Sequence, residues 1–192
     1  MASMRPSRRA EPSRPLRLTK SVAAGLSSVF PVRTQAVLQF VRYKHARFSA
    51  RFPEEFRYSR SHYWMSPVEG EEGLWRVGFT KFATRMLGEL VDAQWKTEVG
   101  GAVSAGDEIG YVEGFKAASD VFCVMDGEFA GGNPELDIDA CIVRSDPYLQ
   151  GWLYSVKGTP EDGHLDVHEY IELLAKTIER LQEEEHAAES SP

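Results

Sequence analysis

One lysine stands apart from every other residue able to do chemistry. Lys116 sits in "GDEIGYVEGFKAASDVFCVMDGEF", residues 106–129, and from Thr97 to Val143 no other Lys or Arg occurs while ten Asp and Glu do. A catalytic Schiff-base lysine is normally desolvated. Lys116, flanked by Phe115 and Ala117 in an acidic field, has instead the setting of a lysine that another enzyme modifies. Acylation there removes a charge and hangs a long arm from a defined platform. The other chemical groups are weaker candidates. His62 beside Tyr63 and Trp64 has acid–base capacity, but a histidine among aromatics more often anchors a hydrogen bond. His164 and His168 stand four apart, yet His164 precedes a helix and no third ligand cluster follows, so no metal is expected. A nucleophile elbow, a Walker loop, a Rossmann glycine pattern and a CxxC are absent.

The elements that position Lys116 follow from periodicity. Ile109 and Tyr111 alternate with Gly110 and Val112, and Val121, Cys123 and Met125 with Phe122 and Val124. Two such arms predict a β-hairpin whose tip is "EGFKAAS", with Lys116 in solvent. "GLWRVGFT" reads as a strand leading into a helix at "TKFATRMLGELV", with Thr80 as N-cap and Phe82, Met86, Leu87, Leu90 and Val91 on one face. "DVHEYIELLAKTIERLQEEE" predicts an amphipathic helix at about 166–185, with Asp166 and Glu169 spaced as a capping box and "HAAESSP" as a frayed tail. Short strands dominate the middle, so the expected class is mainly β, a small sandwich or flattened barrel with peripheral helices.

Charge divides the chain. Residues 1–53 carry eleven Lys/Arg and one acid, residues 54–192 eleven Lys/Arg and twenty-eight acids, which together give the net −7. The acidic body argues against nucleic acid as main partner, because phosphate binding needs a positive field. In "AVLQFVRYKHARFSARFPEEFRYSRSHYW" basic residues alternate with aromatics, a pattern of a strand with cations outward and rings inward. Residues 1–36 read as a disordered basic extension or a presequence, and 37–192 as a single domain. No apolar run reaches membrane-spanning length. Cys123 and Cys141 both lie in apolar runs and are expected as buried, reduced thiols.

The run "EVGGAVSAGDEIGYVEGFKAASD" resembles the lipoylation region of glycine cleavage system H proteins. Glu113, Lys116, Ala117, Ser119 and Asp120 match the family's motif, and Ala105 to Glu108 match its approach. "YSRSHYW" (Tyr58, His62, Trp64), "VGFTKFATRMLGELV", Asn133, "DPY" and "GWL" follow in the family's order, from about Tyr58 to Lys157. Three features depart from the pattern. Gly114-Phe115 replaces the usual Ser-Val, Arg60 and Ser61 replace acidic residues before His62, and the basic segment 37–57 has no counterpart.

The resemblance implies a lipoyl/biotinyl-type flattened β-barrel, a barrel-sandwich hybrid. It further implies lipoate in amide linkage on Lys116, recognition by a lipoylating enzyme through Glu113, and a cleft for the arm lined by His62 and Trp64. Such a chain is a carrier subunit rather than an enzyme: the cofactor does the reaction and the protein supplies reach and recognition. It shuttles the aminomethyl group of glycine between a pyridoxal-phosphate glycine decarboxylase, a tetrahydrofolate-dependent aminomethyltransferase and dihydrolipoyl dehydrogenase. A monomer in the cytoplasm is expected, or in the mitochondrial matrix of a eukaryote, without nucleic-acid or membrane partners. Rival readings are a lipoyl carrier or relay for another pathway (dehydrogenase lipoylation or sulfur oxidation) and a non-lipoylated interaction module of the same fold. A biotinyl carrier fits less well, since biotin acceptors place Met on both sides of the lysine.

Overall fold

The computed structural model describes residues 38–189. The stretch 1–36, read above as an extension or presequence, lies outside them.

The described chain begins with a hairpin, β1 (Phe40–His45) and β2 (Phe48–Pro53). Its alternation is the one expected from the sequence: Phe48 and Phe52 are buried and Tyr43 half-buried, while Arg42, Lys44 and Arg51 are exposed. The chain continues through β3 (Arg57–Tyr58), β4 (Tyr63–Pro67) and β5 (Leu74–Phe79), then α1 (Lys81–Leu87) and β6 (Leu90–Trp95). After β7 (Ala102–Val103) come β8 (Glu108–Gly114), β9 (Ala118–Phe122) and β10 (Gly127–Gly132). A 3-10 turn at Pro134–Asp137, α2 (Ile142–Ser145), β11 (Tyr154–Gly158) and α3 (Val167–Glu189) complete it.

Six strands form one sheet in the order β3-β4-β5-β11-β10-β7, and three form a second in the order β6-β8-β9. Met65 and Val77 from the first sheet and Ile109, Val112 and Val121 from the second are fully buried in one core. Each such side chain contributes about 1.5–3 kcal/mol relative to exposure. The mainly β class with peripheral helices is therefore observed, with the flattened barrel present as facing sheets rather than a closed ring.

A second core joins the β1–β2 hairpin to α3. Phe52, Tyr58, Trp64, Tyr170 and Leu174 are all at most 1% exposed there, and Tyr58 stacks on Tyr170 at 4.7 Å. The cap of α3 is the box read from sequence: Asp166 Oδ1 accepts from the amides of His168 and Glu169, and Glu169 Oε2 accepts from the Asp166 amide at 3.0 Å. The helix runs to Glu189, beyond the expected end near 185, so residues 186–189 are helical rather than frayed.

Three local expectations are corrected. The helix expected through Val91 stops at Leu87, because Gly88 takes φ 86° and Leu90 already pairs with Gly114 in β6. The alternation of Ile109 with Tyr111 fails because a bulge shifts the register between Glu108 and Gly110. Ile109 and Val112 are the residues at 0% exposure. Cys141 is exposed, and only Cys123 is buried; both are free thiols.

Candidate functional site

The tip of the β8–β9 hairpin is Phe115-Lys116-Ala117, and all three side chains are exposed. Its shape is fixed by main chain. Gly114 N–H donates to Ala117 O at 2.8 Å, closing the turn, while Phe115 N–H donates to Glu89 O (2.9 Å) and Lys116 N–H to Leu87 O (3.0 Å). The corner between α1 and β6 thus grips the tip from outside the hairpin. That corner needs glycine. Gly88 has a positive φ, and a Cβ there would lie 3.0 Å from Lys116 Cγ and 3.1 Å from its amide nitrogen. Gly114 approaches more closely still, since a Cβ on it would lie 2.5 Å from Leu87 O.

The corner is in turn held by α1. Thr80 caps the helix and lies 2.8 Å from the Tyr170 hydroxyl, so α3 is tied to the element that carries the tip. Glu113 is exposed on β8, opposite Ala118 on one side and Asp92 on the other. Two carboxylates directly opposite across strands repel by a few tenths of a kcal/mol up to about 1 kcal/mol. Beside Lys116 opens a cleft of about 420 Å³, walled by Phe48 and Ser49 of β2, Lys81 and Arg85 of α1, Glu89, and Arg144 of α2. Glu89 is also the acceptor for the Cys141 thiol at 3.1 Å, and its carboxylate pushes that thiol up to about 11.

His62 and Trp64 are not brought to this cleft. Trp64 is 1% exposed, packed on Phe56 at 5.1 Å and against Gly78, and its Nε1–H has no partner among the described residues. His62 adopts φ 66°, packs on Phe82 of α1 at 4.6 Å and lies 3.0 Å through Nδ1 from the Tyr170 hydroxyl. Burial lowers its pKa to about 4, so the ring is neutral at neutral pH. His62 braces α1 through Phe82 and Trp64 packs on β5 at Gly78, and neither lines the cleft. The Leu87–Glu89 corner escaped the sequence reading, although Gly88 after a helical run is itself a stop signal. His164 contacts the carbonyls of Glu161 and Val124, and no metal-ligating group of three or more His, Cys, Asp or Glu occurs among the described residues. Likewise no described helix is long and apolar enough to cross a membrane.

Facing β-sheets that present one lysine on a braced hairpin tip define a domain of the lipoyl/biotinyl carrier class. Within that class the chain belongs to the glycine cleavage H-protein family, whose sequence model matches residues 56–184. It is 40% identical over 124 residues to the glycine cleavage system H protein of Pseudoalteromonas atlantica (63% of this chain, 94% of that protein). It is 36% identical over 125 residues to that of Salmonella paratyphi B (64% and 95%). Among solved structures it resembles a glycine cleavage system H protein from Mycobacterium marinum, with TM-score 0.56 and 37% identity, covering 62% of this chain and 95% of that one.

Proposed function

We propose that the chain is the lipoyl carrier of glycine cleavage, with lipoate in amide linkage to Lys116. The observation that carries this reading is the tip itself: the Lys116 backbone is anchored at 3.0 Å to a neighbouring element while its side chain is exposed. A modifying enzyme thus meets the lysine in one fixed presentation, and the 420 Å³ cleft beside it gives a bound arm somewhere to lie. The residues present fit the group. Lipoate supplies the reversible dithiolane–dithiol couple that takes up and hands on a one-carbon amine. The protein's share is to fix the attachment point, present Glu113 to the lipoylating enzyme, and dock in turn on the decarboxylase, the aminomethyltransferase and dihydrolipoyl dehydrogenase. Successive docking favours weak, charge-steered encounters by a monomer. In a bacterium the site of this work is the cytoplasm.

The test is to expose the purified protein to a lipoate ligase with its activated substrate, then read intact mass and fragment across residues 106–129. One lipoyl increment on Lys116, absent from Lys116→Arg, is expected. An increment elsewhere, or none under conditions that load another carrier, overturns the assignment.

A further inference from the structure

We propose that the outward face of the β1–β2 hairpin is a docking groove for an acidic, apolar-bearing segment of the protein that acts on Lys116. The hairpin lies before residue 56, outside the part of the chain that the family covers. Between it and residues 145–149 runs a groove of about 600 Å³. Arg42, Lys44, Arg51 and Lys81 line it against a single carboxylate, Asp146. None of the four cations is ion-paired among the described residues.

The register makes this charge deliberate in physical terms. Arg42 stands directly opposite Arg51 across the two strands, and like charges in that position work against the pairing. Lys81 adds to the excess. Its ammonium donates to the Arg144 carbonyl at 2.8 Å, and burial together with the Arg144 charge holds its pKa below the ordinary lysine range. An anion in the groove relieves both repulsions. Phe40 (38% exposed) and Leu149 (56% exposed) add apolar surface to a complementary segment.

Charge also selects the occupant. The chain's own residues 1–36 carry seven Lys/Arg and one acid, so they do not complement a cationic groove. The groove shares Ser49 and Lys81 with the cleft beside Lys116, so whatever docks there is delivered to the attachment point. That the docked protein acts on Lys116 rests on the carrier reading above; the acidity of its segment does not.

The test uses the full chain and a fluorescein-labelled peptide of alternating Glu and Leu, followed by anisotropy. Binding is expected to weaken as salt rises from about 50 to 300 mM, and to fall about tenfold or more in Arg51→Glu. The same reversal at Lys157, exposed on β11, should leave it unchanged. The thermal midpoint of Arg51→Glu should hold or rise, since an opposed like-charge pair becomes an attractive one; that separates lost docking from lost folding. The proposal is overturned if Arg51→Glu binds as tightly as the parent or if Lys157→Glu loses as much. A single-stranded oligonucleotide that binds more tightly through the same arginines also overturns it. So does a mass that climbs with concentration and falls with Arg51→Glu, which would make a second copy the occupant. Lipoylation of Lys116 is read on the same samples. Peptide binding with a bare Lys116 leaves the groove standing and removes only the carrier reading.

Discussion

The amide of Lys116 donates to the carbonyl of Leu87 at 3.0 Å, so the exposed lysine is held by an element that is not part of its own hairpin. The hairpin turn alone leaves a tip free to rock about its two strands. The hydrogen bonds from residues 115 and 116 to the α1–β6 corner remove that freedom, and they exist only because Gly88 lets the two backbones approach.

Substituting Gly88 with alanine therefore does two kinds of damage. The positive φ alone costs about 1 kcal/mol or more, and the added Cβ presses on Lys116. Gly100→Ala provides the comparison, since Gly100 has φ 87° but nothing within 4 Å of a Cβ. Gly100→Ala should lose only the φ cost in urea melts and Gly88→Ala more than that, and only Gly88→Ala should slow lipoylation.

Tyr170 is where α3 reports to the site. Tyr170→Phe keeps the stack on Tyr58 but leaves Thr80 and His62 without the hydroxyl. The expected loss is about 1–2 kcal/mol. Tyr170→Ala also opens a cavity, and the loss should reach about 3–5 kcal/mol. Denaturant titration at constant m-value checks both.

His62 makes stability depend on pH in a definite direction. Its folded pKa of about 4 lies below the unfolded value of 6.5, so the unfolded chain takes up the proton first. The contribution is complete above about pH 6.5 and is lost as pH falls towards about 4, at roughly 1 kcal/mol per unit. His62→Gln should flatten that slope. If the parent and the variant lose stability in parallel between about pH 6.5 and 5, the ring is not buried as a neutral imidazole.

Cys141 is exposed yet should be slow towards iodoacetamide, because its thiol donates to Glu89 and is pushed up to about 11. Glu89→Gln should speed alkylation near neutral pH about tenfold or more, by restoring the thiolate fraction. Cys123, 2% exposed, should react only on unfolding.

What the sequence made legible was local. The capping box of Asp166 and Glu169, the Thr80 cap and the hairpin around Lys116 are each decided within a few residues, and each is present. What it hid depends on distant partners. Val91 and Leu90 continue a helical stripe on paper, but pairing of Leu90 with Gly114 makes them strand, and the bulge beside Leu90 turns Val91 out to 53% exposure. The bulge at Ile109 hides in the same way, since an extra residue changes parity without changing composition. Of the candidate site, Lys116 and Glu113 lie at the surface near the tip as the pattern suggested. His62 and Trp64 share its neighbourhood in sequence signature alone: their rings are spent on Phe82, Tyr170, Phe56 and Gly78. A motif reports which residues travel together, not which of them face one space.

The grip on the hairpin tip is made of amides and carbonyls, with no side chain from 115 or 117 taking part. Those two positions are therefore free to drift. Phe115 is 78% exposed, and the bonds that hold Lys116 run through main chain alone. Recognition by outside enzymes can be retuned there generation by generation while folding stays indifferent, so the tip can acquire new clientele without the molecule first having to become more stable.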